Sequence, residues 1–249
     1  MPRLLNKRTL ITGGTTGIGL ETAKQFLAEG ARVAITGTHP ETLAQAQIEL
    51  GHEVLVLKTD AGSVPDQKAL AAVLKEKFGR VDAVFLNAGV AEFRPIEAFD
   101  ESAFDRMLAI NLKGPFFLVQ SLLPILENPA SIVLNTSINA RMGVASSSVY
   151  AASKAGLISM ARTLSGELIS RGIRINAISP GPISTPIYGK LGLRPDQLQG
   201  VASHLMSQIP VGRFGKAVEI AKAVVFFASD ESLFTVGSEL VIDGGMSNI

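Results

Sequence analysis

Two tyrosines occur in the chain, and one of them, Tyr150, stands four residues ahead of a lysine in Tyr150-Ala151-Ala152-Ser153-Lys154. On a helix, residues i and i+4 share a face, so this phenol and this ammonium would project together. A free phenol titrates near ~10, and useful proton exchange at neutral pH asks it to fall by roughly 2–3 units, about 3–4 kcal/mol. A neighbouring ammonium favours the phenolate and supplies part of that fall. The pair therefore suits proton transfer to or from an oxygen, although an ordinary surface pair would have the same spacing. Ser137 favours the chemical reading. It follows the apolar run Ser131–Asn135, and doubly wound sheets build their sites at strand ends.

A second constellation lies near the N-terminus, in Thr12-Gly13-Gly14-Thr15-Thr16-Gly17-Ile18-Gly19. Glycines allow a sharp turn and let backbone amides approach a pyrophosphate, and a helix that follows adds its positive end. The spacing differs from the common G-x-G-x-x-G, and tight turns use glycine everywhere. Its position between a first strand and a first helix points to a dinucleotide. No Gly-Lys-Ser/Thr follows, which excludes a nucleoside-triphosphatase loop.

These groups need a scaffold, and short apolar runs alternate with longer helical patterns along the whole chain. Strands are expected at Thr9–Thr12, Arg32–Thr36, Glu53–Lys58, Val81–Leu86, Ser131–Asn135, Ile173–Ile178 and Glu239–Ile242. Helices are expected at Glu21–Glu29, Pro40–Leu50, Pro65–Phe78, Ser102–Leu126 with an interruption at Gly114-Pro115, Val149–Ser170 and Ala217–Ala228. Pro180–Pro210, rich in Gly, Pro and Ser, reads as one long irregular stretch of the kind that forms lids. Near-continuous apolar strands suit a parallel sheet covered on both faces. The expectation is one α/β domain over 1–249, a Rossmann-type doubly wound parallel sheet of about seven strands, with a substrate lid at about 183–210.

Composition removes other classes. Apolar residues are 47% of the 249 and charged residues 18%, enough to fill a large core, so the chain is not disordered. Lys plus Arg number 23 against 22 acids, and a net charge of +1 supplies no field to gather nucleic acid or an anionic membrane. Without cysteine there is no disulfide, zinc thiolate, iron–sulfur cluster or thiol nucleophile. His39, His52 and His204 have no i, i+4 pairing, so no metal is expected. No long apolar run marks a secretory signal or a membrane span, and the expected location is the cytoplasm. A hydrolase is disfavoured because there is no Gly-x-Ser-x-Gly elbow.

Taken in order, the motifs resemble the short-chain dehydrogenase/reductase family, short single-domain type. They are the glycine loop Thr12–Gly19, Asn87-Ala88-Gly89, Asn111-Leu112-Lys113-Gly114, Ser137 spaced before Tyr150-x-x-x-Lys154, Pro180-Gly181-Pro182-Ile183-Ser184-Thr185, Gly212-Arg213-Phe214-Gly215 and Asp243-Gly244-Gly245. The resemblance implies NAD(P)-dependent interconversion of a ketone and a secondary alcohol. It implies Tyr150 as proton donor or acceptor and Ser137 as hydrogen-bond donor to the substrate oxygen. Lys154 would hold the nicotinamide ribose and depress the Tyr150 pKa, and Asn111 would anchor a water between Lys154 and solvent. Gly13, Thr15, Thr16, Gly17, Ile18, Gly19, Asp60, Ala61, Asn87, Ala88, Gly89, Pro180, Gly181, Ile183 and Thr185 would line the cofactor. Ala61 is smaller than the residue the family often carries there. An acid plus a second donor at the developing alkoxide is the physical logic of such a site, and the hydride belongs to the cofactor, so no metal is required.

An acid roughly 20 residues past the glycine loop would bond the ribose 2′-hydroxyl of NAD. Gly37 stands in that place, followed by Thr38 and His39, which could donate to a 2′-phosphate; the expectation is NADP, with NAD the alternative. Thr38-x-x-Glu41 also reads as a helix capping box. The stretch Ile187–Ile209, with Tyr188, Leu191, Leu193, Leu198, Val201, Leu205 and Met206, would fold over the substrate opposite Val144. Its apolar character favours an apolar or aromatic ketone, as in the bacterial alcohol dehydrogenases and ketoreductases that the chain resembles. The alternatives are a 3-oxoacyl-acyl-carrier-protein reductase, for which Arg171 would offer one basic contact but Glu127 none, and a non-catalytic NAD(P)-binding regulator. The helices Ser102–Leu126 and Val149–Ser170 carry apolar surface that predicts a homotetramer, with Ala155, Ile158, Ala161, Leu164, Ser165 and Leu168 at the contact.

Overall fold

The computed structural model describes residues 1–185 and 195–249, apart from the side chains of 195–199 and 201. Seven parallel strands form the main sheet: β1 (Arg8–Ile11), β2 (Arg32–Gly37), β3 (Leu55–Lys58), β4 (Val81–Leu86), β5 (Leu126–Asn135), β6 (Ile173–Pro180) and β9 (Glu239–Ile242). Their order is β3-β2-β1-β4-β5-β6-β9. The order reverses between β1 and β4, the crevice where such sheets place ligands. A two-stranded parallel pair, β7 (Ile183–Ser184) and β8 (Gly215–Lys216), lies beyond the end of β6.

The apolar strand runs divide their side chains between two faces with a period of two. Leu10, Val84, Ile132 and Ala177 join one core, with Leu70 and Leu74 of α3 (Val64–Phe78), Leu118 and Leu122 of α5 (Gly114–Leu122) and Leu157 and Ala161 of α6 (Ser148–Leu168). Their neighbours Ile11, Phe85, Val133 and Ile178 join the other, with Ala23 and Phe26 of α1 (Gly17–Ala28) and Ile220 and Val224 of α8 (Ala217–Ala228). Both faces are thus covered, as the near-continuous strands require.

Four local expectations are corrected. Helix α1 begins at Gly17, a full turn before Glu21, because the glycine loop feeds straight into it behind an extended Thr16. Helix α2 (Pro40–Leu50) is preceded by His39 at its cap position, with no side-chain cap bond, so Thr38 heads no capping box. The break in the Ser102–Leu126 helix falls before Gly114-Pro115. α4 (Glu101–Leu108) passes through a π-helical turn, Ala109–Lys113, into α5, and Leu126 already belongs to β5. Within Pro180–Pro210 a helix, α7 (Pro195–Ser207), replaces part of the expected irregular chain. Gly114 has a reason other than a break: a Cβ there would lie 1.8 Å from the carbonyl oxygen of Ala61, so α5 can lie on the loop after β3 only without a side chain.

Candidate active site

Three strand ends meet at the crevice, and polar side chains tie them together. Thr12, at the end of β1, accepts from the backbone amides of Asn87 and Ala88, each at 3.0 Å. The Asn87 side chain donates back to the carbonyls of Thr12 (3.1 Å) and Gly13 (3.0 Å). Its oxygen accepts from Asn135 Nδ2 at 2.9 Å, and the Asn135 carbonyl accepts from Lys154 Nζ at 2.7 Å. One chain of bonds therefore runs from the glycine loop to the lysine.

In the loop, Gly13 and Gly17 take positive φ of 62° and 56°, a conformation costly for other residues. A Cβ at Gly19 would fall 2.2 Å from the Gly13 carbonyl oxygen, so α1 can approach the loop only there. The first turn of α1 holds no acid, and Thr16 makes no side-chain cap bond. Its amides are thus left for an anion, to which a helix N-terminus offers both donors and a favourable dipole. The buried Asn135 Oδ1, beside Lys154, lacks a hydrogen-bond partner among the described residues. An uncapped helix start and an orphaned acceptor at the far end fit a dinucleotide spanning the crevice. Thr38 and His39 lie exposed at the end of β2. Asp60 is exposed too, its carboxylate accepting from the Gly62 amide at 2.8 Å. Ile183 is buried beside Pro180 and Gly181, and Gly181 allows the chain to cross Asp243, whose Cα would lie 2.7 Å from a Cβ at this position.

Ser137, from the end of β5, and Tyr150, from the first turn of α6, are brought together so that the serine hydroxyl acts on the ionisation of the phenol. Lys154, one turn on, is 4% exposed and its Nζ lies 5.8 Å from the Tyr150 ring centroid. Burial holds the lysine down at about 8. The expected depression of the tyrosine is corrected: burial pushes its phenol above the ordinary value, Ser137 pulls it back in part, and the net direction is upward. The lysine is not among the causes of that shift. Asn111 is wholly buried in the π-helical turn. Its amide bonds the Val90 amide (2.8 Å) and carbonyl (2.9 Å) and the Ser153 hydroxyl (3.0 Å). Gly89 separates it from the lysine, where a Cβ would lie 3.2 Å from Asn111 Oδ1 and 3.3 Å from Lys154 Nζ.

Of the expected substrate residues, Val144 and Met206 are exposed and Tyr188 lies outside the described residues. Phe93 was not singled out; its ring packs 5.8 Å from that of Tyr150. Thr12, Asn135 and Ser153 were also missed as partners of the site. Asn135, two residues before Ser137 at a strand end, carried the only readable signal.

A family model described as enoyl-(acyl carrier protein) reductase matches residues 13–247. The 3-oxoacyl-acyl-carrier-protein reductase FabG of Thermotoga maritima is 38% identical over 251 residues, covering 98% of this chain and 99% of that protein. The levodione reductase of Leifsonia aquatica is 34% identical, over 98% of this chain and 96% of that one. The chain belongs to the short-chain dehydrogenase/reductase family. A crystal structure of a member from Brucella melitensis, described as a glucose/ribitol dehydrogenase, matches with a TM-score of 0.92 at 32% identity over 99% of each chain. The protein is thus an NAD(P)-dependent oxidoreductase that interconverts small-molecule ketones and alcohols. No helix among the described residues is long and apolar enough to cross a membrane.

Proposed function

We propose that Tyr150 carries the proton in this reaction, assisted by Ser137, Lys154 and Asn111. The observation that carries the reading is the approach of Ser137, at the C-terminal end of β5, to Tyr150, whose ring lies 5.8 Å from the Nζ of the buried lysine bonded to Asn135. The nicotinamide, when bound, supplies or accepts the hydride. In reduction, a ketone oxygen sits between the two hydroxyls. Ser137 donates a hydrogen bond, and Tyr150, kept protonated at neutral pH by its burial, gives its proton as the alkoxide forms. In oxidation the phenol must first lose that proton, so this direction gains from higher pH. Lys154 orients toward the cofactor ribose, and Asn111 anchors a water between Lys154 and solvent, a role supported by the closeness of both side chains to Gly89. Tyr150→Phe keeps the ring and removes the proton; turnover falls by roughly 100-fold or more while reduced cofactor still quenches or enhances fluorescence on binding. Near-wild-type turnover would end the assignment.

The chain works as one unit over 1–249, with the glycine loop, Asp60, Ala61, the Asn87–Gly89 turn, Ile183 and Thr185 lining the cofactor; of the substrate lid expected at about 183–210, residues 186–194 lie outside the described residues. Gly37, Thr38 and His39 support NADP, since no carboxylate opposes a 2′-phosphate and two exposed donors stand ready. Phe93 beside Tyr150, with exposed Val144 and Met206, supports an apolar or aromatic ketone. The likeness to FabG keeps a carrier-bound 3-oxoacyl group as a second reading, and a panel of free ketones against a carrier-bound substrate separates the two. Exposed Phe104 and Phe116 on α4 and α5 support a homotetramer. The contact residues need revision: Ile158, Ala161, Ser165 and Leu168 are buried within this chain, whereas Ala155 and Ser159 face outward.

A further inference from the structure

Glu239 opens β9, the last strand of the sheet, and its side chain is only 3% exposed. A buried carboxylate is tolerated where its oxygens are paired and hydrogen-bonded, and here each oxygen has a definite partner. Arg141 clamps it with both prongs of its guanidinium, Nε donating to Oε1 at 2.9 Å and Nη2 to Oε2 at 2.5 Å. Arg162 adds a distant contact at 3.9 Å. Oε1 also accepts from the hydroxyl of Ser179 at 2.6 Å, and Ser179 in turn meets the hydroxyl of Thr136. Burial works to raise the Glu239 pKa, but Arg141 and Ser179 hold it below the ordinary carboxylate value.

The direction of this chain follows from counting protons. A carboxylate only accepts, so the one proton of Ser179 points at Glu239. The Thr136–Ser179 contact can then be a hydrogen bond only if Thr136 donates, shared with its 2.8 Å contact to the Ile178 carbonyl. The charge on Glu239 thus orients two buried hydroxyls, and the second belongs to the residue between Asn135, which holds Lys154, and Ser137, which acts on the Tyr150 phenol. Arg141, meanwhile, lies in the segment that follows Ser137. The carboxylate is therefore linked to the chain on both sides of Ser137, through Ser179 to Thr136 before it and directly to Arg141 after it.

We propose that Glu239 is a positioning residue for the reaction, fixing the end of β5 through Ser179 and Thr136 and the following segment through Arg141, so that the Ser137 hydroxyl is aimed at the substrate oxygen. The proposal rests on the reading of Ser137 and Tyr150 as catalytic. Its test is a double-mutant cycle on single-turnover ketone reduction, with cofactor affinity measured separately by fluorescence. Glu239→Ala lowers the rate by about 10-fold with cofactor affinity within about 2-fold of wild type, and in a Ser137→Ala background it has no further effect, because the group it positions is gone. Ser179→Ala, which leaves the Arg141 clamp intact, shows the same background dependence at a smaller magnitude and serves should Glu239→Ala not fold. Rates within 2-fold of wild type for both variants, or equal losses in both backgrounds, overturn the proposal. Failure of the parent reading is a separate result: Ser137→Ala alone then turns over like the wild type.

Discussion

The absence of an acid at Gly37 has a packing cause that alters how cofactor choice can be changed. A Cβ at Gly37 would lie 2.6 Å from Thr15 Cγ2, 3.1 Å from Thr15 Oγ1 and 3.3 Å from Leu43 Cδ2. Carbon atoms prefer roughly 3.5–4.0 Å, so the first contact is far inside the repulsive wall. The backbone at Gly37 is not in the left-handed region, and the cost of a side chain therefore falls on Thr15. Thr15 belongs to the loop proposed to hold the pyrophosphate. Overpacking of this kind costs about 1–3 kcal/mol, which corresponds to about 5- to 150-fold in affinity where it displaces the loop. Gly37→Asp alone should then weaken both NADH and NADPH and lower Tm. In the background of Thr15→Ala, both close contacts vanish and only the flexible end of Leu43 must yield. The same aspartate should now weaken NADPH, whose 2′-phosphate it repels, and tighten NADH by accepting from the 2′-hydroxyl. Fluorescence titration of all four proteins with both reduced cofactors measures a coupling of about 1–3 kcal/mol for NADH. A single Gly37→Asp variant that binds NADH more tightly than wild type, with unchanged Tm, would refute the steric argument. A wild type that already prefers NADH would refute the NADP proposal itself.

Two further expectations follow from burial. Lys154 titrates at about 8 in the folded chain against 10.5 when unperturbed; below pH 8 both states are charged and burial costs its full amount, about 3 kcal/mol. Above it the unfolded chain holds more protons, so wild-type stability should rise from pH 8 toward 9.5 relative to Lys154→Met, and a flat difference in denaturation midpoints would contradict this. For the assembly, light scattering at micromolar concentration should give four times the chain mass, and Ala155→Arg, placed on the exposed face of α6, should reduce it without unfolding the chain; a monomeric wild type removes the tetramer.

The parallel sheet was legible because buried strands leave continuous apolar runs, and the glycine loop because bare backbone has a composition of its own. The proposed Tyr150–Lys154 pair could be read since helical spacing alone places it. What escaped shares a different physical character. The π-helical turn that buries Asn111 inserts a residue without any Pro or Gly to mark it. Ala161 looked like a contact for another helix because an amphipathic stripe declares which face is buried, not what buries it; here the chain's own sheet does so. Glu239 read as the polar start of a last strand, whose acid would ordinarily face water. Its 3% side-chain exposure comes from Arg141 and Ser179, 98 and 60 residues away. Asn135 joins Asn87 across 48 residues in the same manner. Apolar order has a period and can be read locally, whereas a buried polar bond has only two ends, and nothing at one end names the other. The residues that bring the strand ends together at this crevice are of the second kind, so they become visible only once the sheet has closed.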